Sequence, residues 1–95
     1  MTKSKEAKLL KYLIRLISDH SLDSDVFINC LYDARRKGES ECDGLTVTYR
    51  GESDGQLIFL LTTKERIVGQ FQLPKSYLRS TSRFSSVLKY LLSHE

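Results

Sequence analysis

The sequence predicts an α+β protein, a two-layer sandwich in which helices cover a three-stranded antiparallel meander in the order α-α-β-β-β-α. Apolar residues recur at helical spacing towards both ends of the chain and alternate with polar residues in its middle. Short polar connections join the alternating segments, and the first of them contains two glycines, which favours antiparallel neighbours. The length of 95 residues fits a single domain over residues 1–95.

Two helices are predicted before the sheet, over residues 4–18 and 24–37. Asp23 or Ser24 caps the start of the second helix, and a glycine follows its basic last turn. The Val26–Tyr32 segment would also suit a strand, so the capping residues decide for a helix. In the first helix, apolar residues fill about half of a helical wheel; they are Ala7, Leu9, Leu10, Leu13, Ile14, Leu16 and Ile17.

Three strands are predicted at about residues 45–50, 56–62 and 66–73. The second strand is the most apolar, which is typical of a central strand. In the third strand Gly69 marks a candidate bulge. The side chains predicted to face the core are Leu45, Val47, Tyr49, Leu57, Phe59, Leu61, Ile67, Phe71 and Leu73.

The last helix is predicted over residues 75–92, with Pro74 in its first turn. Hydroxyl residues at positions 80–82 lower the local helix propensity. We therefore expect this helix to kink there, or to restart at Ser80 or Ser82.

Residues that carry catalysis or bind metals are sparse. The two histidines, His20 and His94, and the two cysteines, Cys30 and Cys42, lack the close pairing typical of zinc ligands. The five glycines form no phosphate-binding or nucleotide-binding motif. We expect a protein that is not an enzyme and that uses no metal and no cofactor.

Nothing in the sequence predicts a membrane or secreted protein. No apolar run approaches the roughly 20 residues that span a bilayer, and no cleavable secretion signal is recognisable at the N-terminus. The cysteines are accordingly expected to be reduced thiols, and the expected location is the cytoplasm.

Charge is unevenly distributed, with net charges of +4, −5 and +4 on residues 1–18, 19–54 and 55–95. Within the two basic segments, lysines and arginines share one face of each predicted helix and form basic ridges. Such ridges bind phosphate backbones, so the leading hypothesis is nucleic-acid binding, to RNA more than to DNA. The alternative is that the ridges are ordinary solvated helix faces. The residues concerned are Lys8, Lys11 and Arg15 in the first helix and Lys75, Arg79, Arg83 and Lys89 in the last.

The last helix also places an arginine three residues before Ser82 and another three residues before Ser86. This spacing suits basophilic kinases, and phosphorylation would reverse the local charge. Helix capping and solvation account for the same hydroxyl groups, so the sequence leaves open whether either serine is phosphorylated.

The sheet face opposite the predicted core is a second candidate surface. A semi-apolar face of this kind binds a protein partner or a second copy of the chain. The alternative function is therefore a protein-interaction module or assembly subunit, as a homodimer or heterodimer, unless the first helix covers the face. The residues predicted to form it are Thr46, Thr48, Arg50, Ile58, Leu60, Val68 and Gln70.

Residues 24–92 resemble the small proteins of the signal recognition particle Alu domain. The resemblance is carried by Val47-Thr-Tyr-Arg50, by Ser53-Asp-Gly55 followed by Gln56-Leu57, and by the spacing back to Phe27. It implies an α-β-β-β-α core, pairing into a heterodimer, and RNA binding through a basic sheet surface.

Overall fold

The computed structural model describes residues 2–94 and shows an α+β fold with four helices and one four-stranded antiparallel sheet. Strands follow one another in the sheet in the order of the sequence, β1-β2-β3-β4. The elements are α1 (Thr2–Asp19), α2 (Ser24–Lys37), β1 (Glu39–Cys42), β2 (Leu45–Ser53), β3 (Gln56–Thr62), β4 (Ile67–Pro74), α3 (Ser76–Arg79) and α4 (Thr81–Ser93).

The prediction of three strands is wrong, because β1 adds a fourth at the edge of the sheet. It pairs with β2 from Glu39 opposite Thr48 to Cys42 opposite Leu45. Its sequence is Glu-Ser-Glu-Cys, and only Cys42 is buried. A short polar edge strand of this kind shows no apolar alternation, so the hydrophobic pattern did not indicate it.

The Val26–Tyr32 segment lies within α2 and is helical. The carboxylate of Asp23 accepts hydrogen bonds from the backbone N–H groups of Asp25 at 2.8 Å and Val26 at 3.2 Å, which satisfies two groups left free at the helix start. Gly38 ends the helix with a φ of 100°, where glycine avoids the strain of a side chain. Local capping therefore outweighed the strand propensity of this segment.

The predicted last helix is two helices, α3 and α4, so the element order is α-α-β-β-β-β-α-α. The break is at Ser80, whose φ of −131° and ψ of 73° are not helical, in agreement with the expected interruption in the hydroxyl run. Pro74 ends β4 and does not begin a helix. Proline is tolerated there because β4 is an edge strand.

Two bulges interrupt the alternation of side chains along the sheet. One falls between Tyr49 and Gly51 in β2, and the other between Ile67 and Gly69 in β4. Because a bulge inserts one extra residue, Ile67 lies on the opposite side from Phe71, with 68% of its surface exposed. The prediction that Ile67 faces the core is therefore wrong.

The core lies between the helices and one face of the sheet. Phe59 is central, with its ring centroid 5.6 Å from those of both Tyr49 and Phe71. The helices contribute buried side chains to the same cluster, including Leu13 and Phe27. Other members of the cluster on the helices are Leu16, Ile17, Ile28, Leu31, Leu78, Phe84 and Leu88.

The first helix packs on this core side of the sheet, next to β4. Gly69 pairs with the core-facing Leu61, and a side chain at position 69 would meet the hydroxyl of Tyr12 from α1. Since α1 lies there, it does not cover the opposite face of the sheet. The helical layer is therefore one-sided among residues 2–94.

Candidate interaction surfaces

The open face is the side of the sheet turned away from the helices. Residues opposite one another in antiparallel strands project to the same side, so the register assigns its members directly. One row across the sheet is Glu39, Thr48, Leu60 and Gln70, and the adjacent row on one side contains Glu41, Thr46, Thr62 and Ile67. On the other side Ile58 is paired with Gln72.

The open face has an apolar centre, and its rim is polar apart from the exposed Ile67 on β4. Ile58 and Leu60 lie on the central strand β3 and are half-buried, although no helix covers them. Their strand neighbours supply the shielding, because adjacent strands are only about 4.8 Å apart. These rows contain no aromatic ring on which a base could stack, and their acidic residues lie on β1. This chemistry suits a protein more than a nucleic acid.

The structure brings six of the seven residues predicted to form this surface to the open face or its margin, among them Thr46, which is paired with Glu41 and Thr62. Thr48, Ile58, Leu60 and Gln70 lie in its rows, and the exposed Arg50 is the extra residue of the β2 bulge. Val68 is the exception, because as the extra residue of the β4 bulge it packs against the core. Its assignment to the open face is therefore wrong.

The basic residues proposed to bind nucleic acid divide into two groups, and the first group is ion-paired. Lys75 lies 3.2 Å from the carboxylate of Glu52, and Lys89 lies 2.8 Å from that of Asp25. Hydrogen bonds from Lys89 and from Ser85 lower the pKa of Asp25, and the Asp25 carboxylate raises the pKa of Lys89. These two lysines therefore present a partly neutralised surface.

The second group is exposed and forms no ion pair within the part of the chain that the structure describes. It consists of Lys8, Lys11, Arg15, Arg79 and Arg83. The first three project from one side of α1 at spacings of three and four residues. The two arginines lie on either side of the helix break at Ser80, so they follow different helix axes and do not extend one ridge.

A shallow cavity of about 330 Å³ lies between α1 and the α3–α4 pair. Its lining combines apolar side chains with polar ones; the residues are Glu6, Leu10, Ser76, Tyr77, Ser80, Arg83, Phe84 and Val87. Burial raises the pKa of the Tyr77 phenol, and the nearby Glu6 carboxylate raises it further. An acidic side chain thus lines the same cavity as Arg83 and weakens the local attraction for phosphate.

The two candidate phosphorylation serines are both exposed on α4. The hydroxyl of Ser86 donates a hydrogen bond to the carbonyl oxygen of Ser82 at 3.0 Å, which is an ordinary contact within a helix. Ser85, which the sequence did not single out, is the buried one and donates a hydrogen bond to Asp25.

The two cysteines lie together in the core, a pairing that their separation in the sequence did not indicate. Both are free thiols and buried, with Cys30 on α2 and Cys42 at the end of β1. Contact with Cys42, together with Ser40, lowers the pKa of Cys30 to about 7, whereas the same contact and burial raise the pKa of Cys42. No group of three or more metal-binding side chains occurs among the described residues.

No helix within residues 2–94 is both long and apolar enough to cross a membrane. Comparisons of this chain with protein-family models, with curated proteins and with solved structures gave no match.

Proposed function

We propose that this protein is a non-enzymatic interaction module whose open face binds another protein chain. The observation that supports this most is the partial exposure of Ile58 and Leu60 at the centre of a sheet whose described helices all pack on the other side. Uncovered apolar patches with a polar rim are typical of protein-binding surfaces. In this proposal the module forms part of a dimer or of a larger assembly.

Site-specific photo-crosslinking in cells tests this proposal. A benzophenone amino acid in place of Leu60 should give covalent adducts with a protein, because the side chain lies at the centre of the open face. The same group in place of Tyr32, which is 47% exposed on the helical side, is the matched control. Equal yields of adduct at the two positions, or no adduct at either, would contradict the proposal.

A second candidate function is nucleic-acid binding, with RNA preferred to DNA. It is supported by the five exposed basic residues on α1, α3 and α4 that have no ion pair among the described side chains. Phosphate contacts at all five would release counterions on binding, which makes affinity strongly dependent on salt. This function would use the helical side and leave the open face free.

For this second candidate, five phosphate contacts predict a roughly 100-fold loss of affinity for single-stranded RNA between about 50 and 200 mM salt. Fluorescence anisotropy with a labelled oligonucleotide measures this loss. Arg79→Glu with Arg83→Glu should remove most of the binding, whereas Arg35→Glu with Lys37→Glu makes the same change in charge on α2 and should not. Salt-independent affinity, or equal losses in the two double variants, would rule this function out.

A further inference from the structure

We infer that the open face binds a second copy of the same chain, in a two-fold dimer whose sheets pack face to face. This inference rests on the proposed function, which it makes specific. The observations that carry it are the positions of opposite charges and of like side chains on the face, since an isologous interface must be complementary to itself.

The opposite charges that the dimer pairs are Glu39 on β1 and Arg50 on β2, and a third charged residue of the face, Glu41, lies in the row beyond Glu39, farther from the centre. Glu39 and Arg50 are both exposed, and neither forms an ion pair among the described residues.

Glu39 is opposite Thr48, two residues before Arg50. The irregular backbone of the β2 bulge lies at Gly51, whose φ is 117°, so the ordinary alternation from the core-facing Tyr49 holds as far as Arg50 and directs Arg50 to the open side. The strand spacing of about 4.8 Å and the rise of about 3.4 Å per residue then separate the two positions by roughly 8 Å within one chain.

A two-fold axis between the sheets, running across the strands midway between Leu60 and Ile58, brings these groups together. Each strand then lies antiparallel over its own copy, and Leu60 lies over Ile58 of the second copy at two symmetric places. Arg50 lies over Thr48 of the second copy, one strand away from the second copy's Glu39. The arginine side chain can span that distance to form a bidentate contact with the carboxylate.

The margin of the open face at β4 is also complementary to itself under the same rotation. Gln70 and Gln72 of β4 occupy the rows of Leu60 and Ile58, so each lies over the other glutamine of the second copy, where their amides can pair. Apolar contacts therefore lie at the centre, amide pairs at one margin and charge pairs at the other. Sheets that pack in this way have their planes about 10 Å apart, a distance that these side chains fill.

The size of the face sets the expected strength. Four strands about 4.8 Å apart and roughly 20 Å of strand length give a footprint of roughly 400 Å² on each chain, which is typical of weak, transient interfaces. A dissociation constant on the order of 10 µM is expected for such an interface. Sedimentation velocity over a range of protein concentrations around this value will show wild-type protein passing from monomer to dimer.

Charge reversal with complementation, on the purified chain, is the decisive experiment. In the dimer, position 39 of each chain meets position 50 of the other, so the contact occurs twice. Glu39→Arg alone or Arg50→Glu alone puts like charges at both contacts, and each should raise the dissociation constant of the dimer by at least about tenfold. An equimolar mixture of the two variants should form a heterodimer, because every contact then joins an arginine to a glutamate. The double variant should dimerise for the same reason. Glu65→Arg, in the exposed turn after β3, is the control and should leave dimerisation unchanged.

Two results would overturn the inference. One is wild-type protein that stays monomeric at concentrations well above the expected dissociation constant, and the other is a mixture of single variants that associates no better than either alone. If the crosslinker at position 60 then captures only proteins other than this chain, the proposed function stands and the second copy is excluded. If that crosslinker gives no adduct beyond the Tyr32 control, the proposed function fails as well.

Discussion

Replacing Gly69 with alanine should destabilise the protein by about 1–3 kcal/mol, as expected for overpacking a filled site. A Cβ atom at this position would lie 2.5 Å from the hydroxyl oxygen of Tyr12, so the Tyr12 side chain, α1 or β4 must shift. The backbone of Gly69 lies outside the positive-φ region, and alanine would otherwise be mildly favourable there because it restricts the unfolded chain. Chemical denaturation of the two proteins measures the difference.

The companion substitution Tyr12→Phe should relieve this clash. The Tyr12 hydroxyl is buried and has no hydrogen-bond partner among the described residues, and burial raises its pKa. Because an unsatisfied buried hydroxyl is costly, Tyr12→Phe alone should be neutral or stabilising. The double variant should then recover at least about 1 kcal/mol of the loss caused by Gly69→Ala. Simple additivity of the two effects would show that α1 does not pack against β4 at this point.

The α+β class and the two faces of the central strand could be predicted from the sequence. The alternation along β3 appears in the structure as a packed face and an open face. The packed face carries Leu57, Phe59 and Leu61, and the open face carries Ile58 and Leu60. This signal is strong because burial on one side of a strand requires apolar residues at every second position. The cap at Asp23 was equally visible, since it depends on the neighbouring residues alone.

The features that were missed depend on contacts across the fold. The edge strand β1 has two glutamates on the open face and needs little apolar surface, so no periodic pattern marks it. The β4 bulge moved Val68 to the core and Ile67 to the surface, although Gly69 had indicated a bulge nearby. Bulge position depends on the register with the neighbouring strand, which the sequence of one strand does not contain.

In the candidate sites too, features set by local sequence were predictable and features set by contacts across the fold were not. Exposure of the basic residues on α1 was predictable from helical spacing. The pairing of Lys89 with Asp25, 64 residues away in the chain, was not. The resemblance to the Alu-domain proteins stays a prediction, and within residues 24–92, to which it applies, the structure has one more strand and one more helix than the α-β-β-β-α order that it implied.

Phe59→Ala should cause the largest loss of stability among these substitutions, about 3–5 kcal/mol. The Phe59 ring is fully buried between the helices and the sheet and lies next to the rings of Tyr49 and Phe71. Leu60 is the next residue on the same strand and points to the other side. Leu60→Ala should therefore cost about 1 kcal/mol or less, as is usual for a side chain that is not in a packed core.

The proposed protein-binding function and the proposed dimer both require β3 to have one packed side and one open side. Urea unfolding of Phe59→Ala and Leu60→Ala tests this most directly, at about 1 µM protein, where self-association contributes least to stability. If Phe59→Ala does not fold, Phe59→Leu is compared with Leu60→Ala in its place. We predict that Phe59→Ala lowers the free energy of unfolding by at least about 2 kcal/mol more than Leu60→Ala does. If Phe59→Leu is used instead, its loss should still clearly exceed that of Leu60→Ala. Equal losses at the two positions would show that Leu60 is also packed, and would contradict the open face.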